Sequence, residues 1–252
     1  MNHVFIVGAQ RSGSTYLYHL LDGHPQITFA KPVRPEPKHF LNDESYAKGR
    51  EYYESKYFDR GMEKVRCFGE KSTSYIESTL VAQRIHDFYP DARILMILRD
   101  PVLRAWSNYR FSAQHGLEPL DFEAALAAEP ERLRDAAFTT SVNPYAYQQR
   151  GHYIDYIERY LKVFSPAQLG ILIFEETVGK IDAIQDLYRW LGVDDAVVPA
   201  SLGEIVNPGS QQVEVSPATL RDLAGRYEDS LARLEGHLHR RVDCWRRNWE
   251  ML

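Results

Sequence analysis

At 252 residues, with 44% hydrophobic and 26% charged side chains, the chain can form one large domain or two small ones around a sizeable core. Its net charge of −5 supplies no global positive field, which argues against nucleic acid as a partner. No apolar run reaches the roughly 20 residues a membrane helix needs, no signal-peptide core is seen, and Cys67 and Cys244 stand far apart as ordinary thiols, so a soluble, cytoplasmic protein without a membrane partner is expected.

Val4-Phe5-Ile6-Val7 reads as a strand, and Leu17, Leu20 and Leu21 recur at helical spacing after it. Between them lies Gly8-Ala9-Gln10-Arg11-Ser12-Gly13-Ser14-Thr15. A strand, a glycine-bearing loop and a helix N-terminus aim backbone N–H groups at one spot, and an anion suits that spot. The loop nearly matches the nucleotide-binding pattern G-x-x-x-x-G-K-[ST], but Ser14 stands where the lysine belongs. Its cation is Arg11, earlier in the loop. That position suits a shorter anion chain than a triphosphate, so a nucleotide with a 5′ group is expected rather than ATP hydrolysis.

Farther along, Pro32, Pro35 and Pro37 forbid regular helix and stiffen the segment around Glu36. Tyr46, Tyr52, Tyr53, Tyr57 and Phe58 predict one helix over 45–58 with an aromatic core face. Cys67 to Lys71 reads as a short strand ending in a charged pair. Residues 78–89 read as a helix with Leu80, Val81, Ile85 and Phe88 near one side, stopped by Pro90.

The run Ile94 to Leu98 is continuously apolar, as in a parallel strand buried on both faces. Asp100 and Pro101 suit the N-cap and first position of a helix carrying Arg104, Trp106, Ser107 and Tyr109. Arg99 thus sits at the carboxyl end of a central strand, where open α/β sheets bind ligands, and its planar fork suits a phosphate. A helix begins at Asp121, and 129–144 reads as irregular. Residues 145–164 predict a Tyr-rich helix, 169–174 a strand, and 181–191 a helix closed by Gly192. The tail from 216 to 249 reads as one helix, with six arginines between Arg226 and Arg247 forming a solvated basic face.

GAQRSGST and LRDPVLRAWSNY together resemble the sulfotransferases that use 3′-phosphoadenosine 5′-phosphosulfate (PAPS) and release 3′,5′-ADP (PAP). In that family Q-[KR]-[ST]-G-[ST]-[ST] is the 5′-phosphosulfate loop, and an Arg followed eight residues later by a Ser holds the 3′-phosphate. The resemblance implies that Gln10, Arg11, Ser12, Gly13, Ser14 and Thr15 bind one end of the nucleotide, and Arg99 and Ser107 the other. Glu36-Pro37-Lys38-His39-Phe40 resembles the E-P-x-x-F segment of the heparan-sulfate and related bacterial branch, whose Glu is the catalytic base. Phe68-Gly69-Glu70-Lys71-Ser72 resembles its E-K-[ST] segment, whose Lys lies near the transferred group. Arg150 to Leu161 resembles its G-x-Y-x-x-x-[IL] helix. The fold implied is a single domain over 1–252: α/β, P-loop-like and three-layered, with a central, mainly parallel sheet flanked by helices. The loop matching the family's nucleotide contacts near 205–210 lacks Lys and Arg here, with Arg221 or Arg226 as candidates to compensate.

Sulfuryl transfer, like phosphoryl transfer, passes a loose transition state, so catalysis is positioning plus electrostatics. Arg11 and the N–H groups of residues 12–15 are expected to hold the leaving phosphate oxygen. A hydroxyl or amine acceptor must lose a proton, and Glu36 is the expected base, with Lys38 and Lys71 as the cations beside it. His39 and His115 are alternatives, and His39, His115 and Tyr153 (or Tyr147) are candidate contacts to a saccharide or small-molecule acceptor. Neither an H-E-x-x-H pattern nor clustered Cys/His spacing is present, so no metal is expected. Two other readings compete. A P-loop kinase using ATP and Mg²⁺ is opposed by Ser14, and a regulatory nucleotide-binding module without catalysis is opposed by Glu36.

Overall fold

The computed structural model describes residues 2–59, 61, 63–134, 143–203 and 215–252. The chain divides into two compact units, Met1–Leu98 with Glu158–Val206, and Arg99–Ile157 with Asn207–Leu252.

The first unit is built on a five-stranded parallel sheet. Its strands are β1 (Asn2–Gly8), β2 (Ile27–Phe29), β3 (Cys67–Lys71), β4 (Arg93–Leu98) and β5 (Leu169–Ile173), in the order β2-β3-β1-β4-β5. β1 and β4 are buried along nearly their whole length, as expected of apolar runs covered on both faces. β2 has only three residues, and periodicity did not announce it.

Side chains alternate across β1. Val4 and Ile6 pack with Leu17, Leu20 and Leu21 of α1 (Ser14–Asp22), and with Ile184, Leu187 and Leu191 of a later helix, Ile181–Leu191. Phe5 points the other way, with ring centroids 5.5 Å from Phe40 and 5.9 Å from Tyr89. This opposite layer holds α2 (Asp43–Ala47), α3 (Gly49–Tyr57) and α4 (Thr79–Phe88). The result is the expected three-layer α/β arrangement. The strand order reverses at β1, so the crevice that open parallel sheets offer to ligands falls at its carboxyl end.

Several boundaries differ from the sequence reading. The single helix expected over 45–58 is two, because the chain turns at Gly49 with φ +82°. Tyr53, Tyr57 and Phe58 are buried as expected, whereas Tyr46 and Tyr52 are half-buried. On α4, Val81 and Ile85 are buried, but Leu80 is 54% exposed.

The second unit begins one residue after β4. α5 (Pro101–Gln114) is capped by Asp100, as expected. α6 (Phe122–Arg132) carries helix into the stretch expected to be irregular, and 135–142 lie outside the described residues. The long helix expected over 145–164 is shorter, α7 (Tyr153–Leu161), preceded by turns and a 3₁₀ segment at Gln149–Gly151. Gly151 has a close neighbour: a Cβ there would lie 2.6 Å from the Tyr227 ring. α8 (Phe174–Thr177) and α9 (Ile181–Leu191) return to the first unit.

The tail is two helices, α10 (Pro217–Leu238) and α11 (Asp243–Glu250), separated where His239 takes φ +52°. Its basic face is largely neutralised: Arg226 pairs with Asp222, Arg233 with Asp155, Arg241 with Asp243 and Arg246 with Glu235. The unit has its own core of Val102, Ala105, Tyr109, Phe122, Leu126, Tyr147, Leu223 and Tyr227.

Among the described residues, no helix is long and apolar enough to cross a membrane.

Candidate functional site

The loop after β1 is shaped by close approach. A Cβ on Gly8 would lie 2.8 Å from Ile76 Cβ, so only glycine passes there. Ala9 N–H then donates to Ile97 O at 2.9 Å, tying the loop to β4. Arg11 and Gly13 both adopt left-handed backbone, with φ +64° and +89°. A Cβ on Gly13 would meet Phe174 Cδ2 at 2.5 Å. Leu17 N–H donating to Gly13 O starts α1.

Among the described residues no side chain caps α1, and no acidic residue lies in its first turn. The positive end of the helix therefore meets no carboxylate from its own sequence, which is the condition for holding an anion. Ser12 and Ser14 are buried there, while Gln10, Arg11 and Thr15 are half-buried.

A second group of residues gathers after β3. Glu36 reaches Lys71 with Oε1 2.5 Å from Nζ, and their side chains are 16% and 5% exposed. The other carboxylate oxygen accepts Thr73 N–H at 3.0 Å, and Thr73 Oγ1 lies 3.1 Å from Oε1. Two of the expected site residues, Glu36 and Lys71, thus form one constellation. The Thr73 clamp was missed, although its signal was present as hydroxyl residues directly after the Glu70-Lys71 pair. Lys38 joins through its backbone, its N–H donating to Ser72 Oγ at 3.1 Å.

Behind Lys71 lies Glu70, 1% exposed. It accepts from Tyr53 Oη at 2.6 Å and from Ser72 Oγ at 2.7 Å, and the Tyr75 hydroxyl also favours its charged form. Burial pushes its carboxyl up from the ordinary range, and those hydroxyls pull it back part of the way.

His39 is placed in the core rather than beside Glu36. It is fully buried against the rings of Phe40, Tyr53, Tyr57 and Phe88. Among the described residues neither ring nitrogen has a hydrogen-bond partner. Burial, with lesser help from Lys56 and Lys48, lowers its pKa to about 4. A neutral ring without access to solvent is poorly placed for either expected role, general base or acceptor contact.

In the second unit, Arg99 is half-buried and its carbonyl accepts Tyr153 Oη at 2.7 Å. Tyr153 is 1% exposed, so its hydroxyl fixes the Arg99 backbone. Asp100 accepts Val102 N–H at 3.0 Å, Asn248 Nδ2 at 3.1 Å and Trp249 Nε1 at 3.2 Å. Burial raises its pKa, and those donors oppose the rise.

Ser107 lies on α5, half-buried, two turns beyond that cap. His115 closes the helix, exposed, its Nδ1 2.8 Å from Phe111 O. Tyr147 is buried, with its hydroxyl 2.8 Å from Glu118. Arg221 and Arg226 are engaged elsewhere, with Leu252 O and with Gln148 and Asp222 respectively. The loop over 205–210 lies outside the described residues. Among the described residues, no group of three or more His, Cys, Asp or Glu is arranged to hold a metal ion.

Known proteins resemble this chain at several levels. The family profile described as "Sulfotransferase domain" matches residues 1–210. The bifunctional heparan sulfate N-deacetylase/N-sulfotransferase of Drosophila melanogaster is 27% identical over 208 residues, covering 75% of this chain and 19% of that protein. The corresponding enzyme 1 of Mus musculus is 30% identical over 204 residues, covering 77% of this chain and 22% of that protein. The chain thus spans about a fifth of the length of these curated relatives. The crystal structure of a sulfotransferase from Alicyclobacillus acidocaldarius is 30% identical, covers 98% of this chain and 99% of its own, and superposes with a TM-score of 0.77. With the profile covering most of the chain and a like-sized structure covering nearly all of it, the chain belongs to the sulfotransferase domain family.

Proposed function

We propose that this sulfotransferase takes its sulfuryl group from PAPS and delivers it to a hydroxyl or amine on a saccharide or small-molecule acceptor, with Glu36 as the base. The observation that carries the proposal is the clamp on Glu36. One oxygen faces Lys71, while the Thr73 N–H and hydroxyl fix the carboxylate's orientation. A base held this way is aimed before substrate arrives, and aiming is most of what a loose transfer asks of a protein.

The donor fits the residues present. PAPS supplies a sulfuryl group on an activated phosphate, and the uncapped positive end of α1 together with Arg11 suits that phosphate. Residues 10–15 are assigned to this 5′ end. Arg99, its backbone pinned by Tyr153, and Ser107 are assigned to the 3′-phosphate. Lys71 is assigned to oppose charge on the transferred group, and Lys38, whose backbone is tied to Ser72, is assigned beside it. In this reading the whole chain serves as one sulfotransferase domain, needs no metal, and works in the cytoplasm. The named activity of the heparan sulfate relatives favours a saccharide amine among the acceptors. A P-loop kinase is disfavoured by Ser14 at the lysine position.

The test is transfer of label from ³⁵S-PAPS to a panel comprising an N-desulfated polysaccharide, simple sugars and phenols. Transfer is expected with the native chain. Glu36→Gln is expected to lower it at least about 100-fold while 3′,5′-ADP still binds. Turnover by Glu36→Gln at the native rate would remove Glu36 as the base.

A further inference from the structure

Loops that carry a catalytic group must be held by something, and the segment carrying Glu36 has few regular hydrogen bonds of its own. Lys38 sits at φ +50° and prolines flank Glu36 on both sides. Two of its backbone amides, those of Lys38 and Phe40, donate to side-chain hydroxyls: Lys38 N–H to Ser72 Oγ at 3.1 Å, and Phe40 N–H to Tyr75 Oη at 3.0 Å. Ser72 Oγ in turn donates to the Glu70 carboxylate at 2.7 Å, and the Tyr75 hydroxyl acts on the same carboxylate, favouring its charged form.

We propose that Glu70 is a positioning residue for the transfer reaction: one buried carboxylate orients two hydroxyls, and those hydroxyls suspend the Glu36 segment by two amides. The inference rests on the role proposed above for Glu36.

The polarity of the network requires an acceptor at its centre. An amide N–H can only donate, so Ser72 Oγ and Tyr75 Oη must accept from the loop. Each hydroxyl has one proton left to place. An ionised carboxylate only accepts, so it can take both, together with that of Tyr53 at its other oxygen, 2.6 Å away. An amide in its place would present two donors to hydroxyls already committed to donating. Glutamine accepts at one end only, so whichever hydroxyl faces its NH₂ group must turn its proton away, and the loop amides lose the common acceptor that orients their hydroxyls.

The same carboxylate adjoins Lys71 in sequence, and Ser72 and Thr73 follow directly. The two ends of the Glu36 clamp, the Pro-rich segment and the turn after β3, are therefore fixed from one point. Tyr53, at 0% exposure, closes the site from water. Hydrogen bonds in such a place are strong when complete and costly when broken.

The experiment combines hydrogen exchange with kinetics on the full chain. In Glu70→Gln, exchange at the amides of Lys38 and Phe40 is expected to quicken about tenfold or more, while amides of β1 and β4 keep their native protection. With ³⁵S-PAPS and the best acceptor of the panel, kcat is expected to fall at least about tenfold, with KM for PAPS within about twofold of native.

Ser72→Ala is expected to release Lys38 but not Phe40, and Ser72→Thr, which restores a hydroxyl, to recover both protection and kcat. If Glu70→Gln does not fold, the Ser72 pair decides. Unchanged exchange at Lys38 in Ser72→Ala, or a kcat of Ser72→Thr no better than that of Ser72→Ala, would overturn the proposal. Faster exchange at Lys38 and Phe40 without any loss of kcat would also overturn it. Exchange is read without substrate. Absence of transfer by the native chain therefore counts against the reaction assignment alone, and unchanged exchange against the positioning role alone.

Discussion

Glu36 and His39 stand three residues apart in one short segment and meet opposite environments. Glu36 keeps 16% of its side chain in solvent and is tied to Lys71 and Thr73. His39 is sealed among aromatic rings and is held neutral, its pKa lowered to about 4 by burial first and by Lys56 and Lys48 second. The consequence for stability has a definite sign. Above about pH 6.5 the ring is neutral folded or unfolded; between 6.5 and about 4 only the unfolded chain takes up the proton. Stability should therefore fall as pH falls through that window, by up to about 1.4 kcal/mol per pH unit from this group. Urea midpoints measured at pH 7, 5.5 and 4.5 should show a shallower acid loss in His39→Phe than in the native chain; an equal loss would mean that His39 is not buried neutral. Sequence alone made Glu36 legible, because its prolines and neighbouring lysines are local. It could not separate His39 from it, since which side of a loop faces a ring cluster is decided by residues 53, 57 and 88. The role of Glu70 escaped notice for a related reason: Ser72 and Tyr75 follow it closely, but Tyr53 and the amides of Lys38 and Phe40 that the network holds come from other segments.

At the scale of elements, the best-read feature was the start of α5, where Asp100, Pro101 and the apolar run before them carry their own signals. The structure adds that the Asp100 carboxylate also accepts from Asn248 and Trp249, so one side chain both starts α5 and anchors the end of α11. Asp100→Ala should cost about 2–4 kcal/mol, a cap plus the donors left unpaired, measured by urea unfolding. A loss below about 0.5 kcal/mol would mean that water replaces the carboxylate at no cost. Helix breaks were harder to read than helix starts. Gly49 and His239 each turn the chain at positive φ, yet both lie inside stretches of good helical periodicity. The expected helix over 145–164 was too long because tyrosines recur there at helical spacing. Four of them serve different partners: Tyr147 reaches Glu118, Tyr153 the Arg99 carbonyl, Tyr156 the Gln149 carbonyl, and Tyr160 the Tyr75 carbonyl.

For the molecule as a whole, alternation of apolar runs with helical patterns was enough to indicate a parallel sheet with helices on both faces. Strand order was not readable, because parallel pairing joins segments separated by tens of residues and no local signal says which run lies beside which. The order matters for ligand binding, since it sets the crevice at the carboxyl end of β1. A nucleotide that binds only the folded chain should raise its stability by about 2.7 kcal/mol at 100 times its Kd, and hence its Tm by about 5–10 °C. That rise is expected with 3′,5′-ADP and not with ADP plus Mg²⁺; the reverse ranking would favour the kinase reading. The shortest strand also has a consequence. β2 is a three-residue strand on the rim of the sheet, and the segment bearing the proposed base follows it, whereas the loop given to the donor springs from the innermost strand. Rims open before centres. On warming, then, this enzyme should fail in two stages, first losing its chemistry while still gripping its donor, and only later letting go.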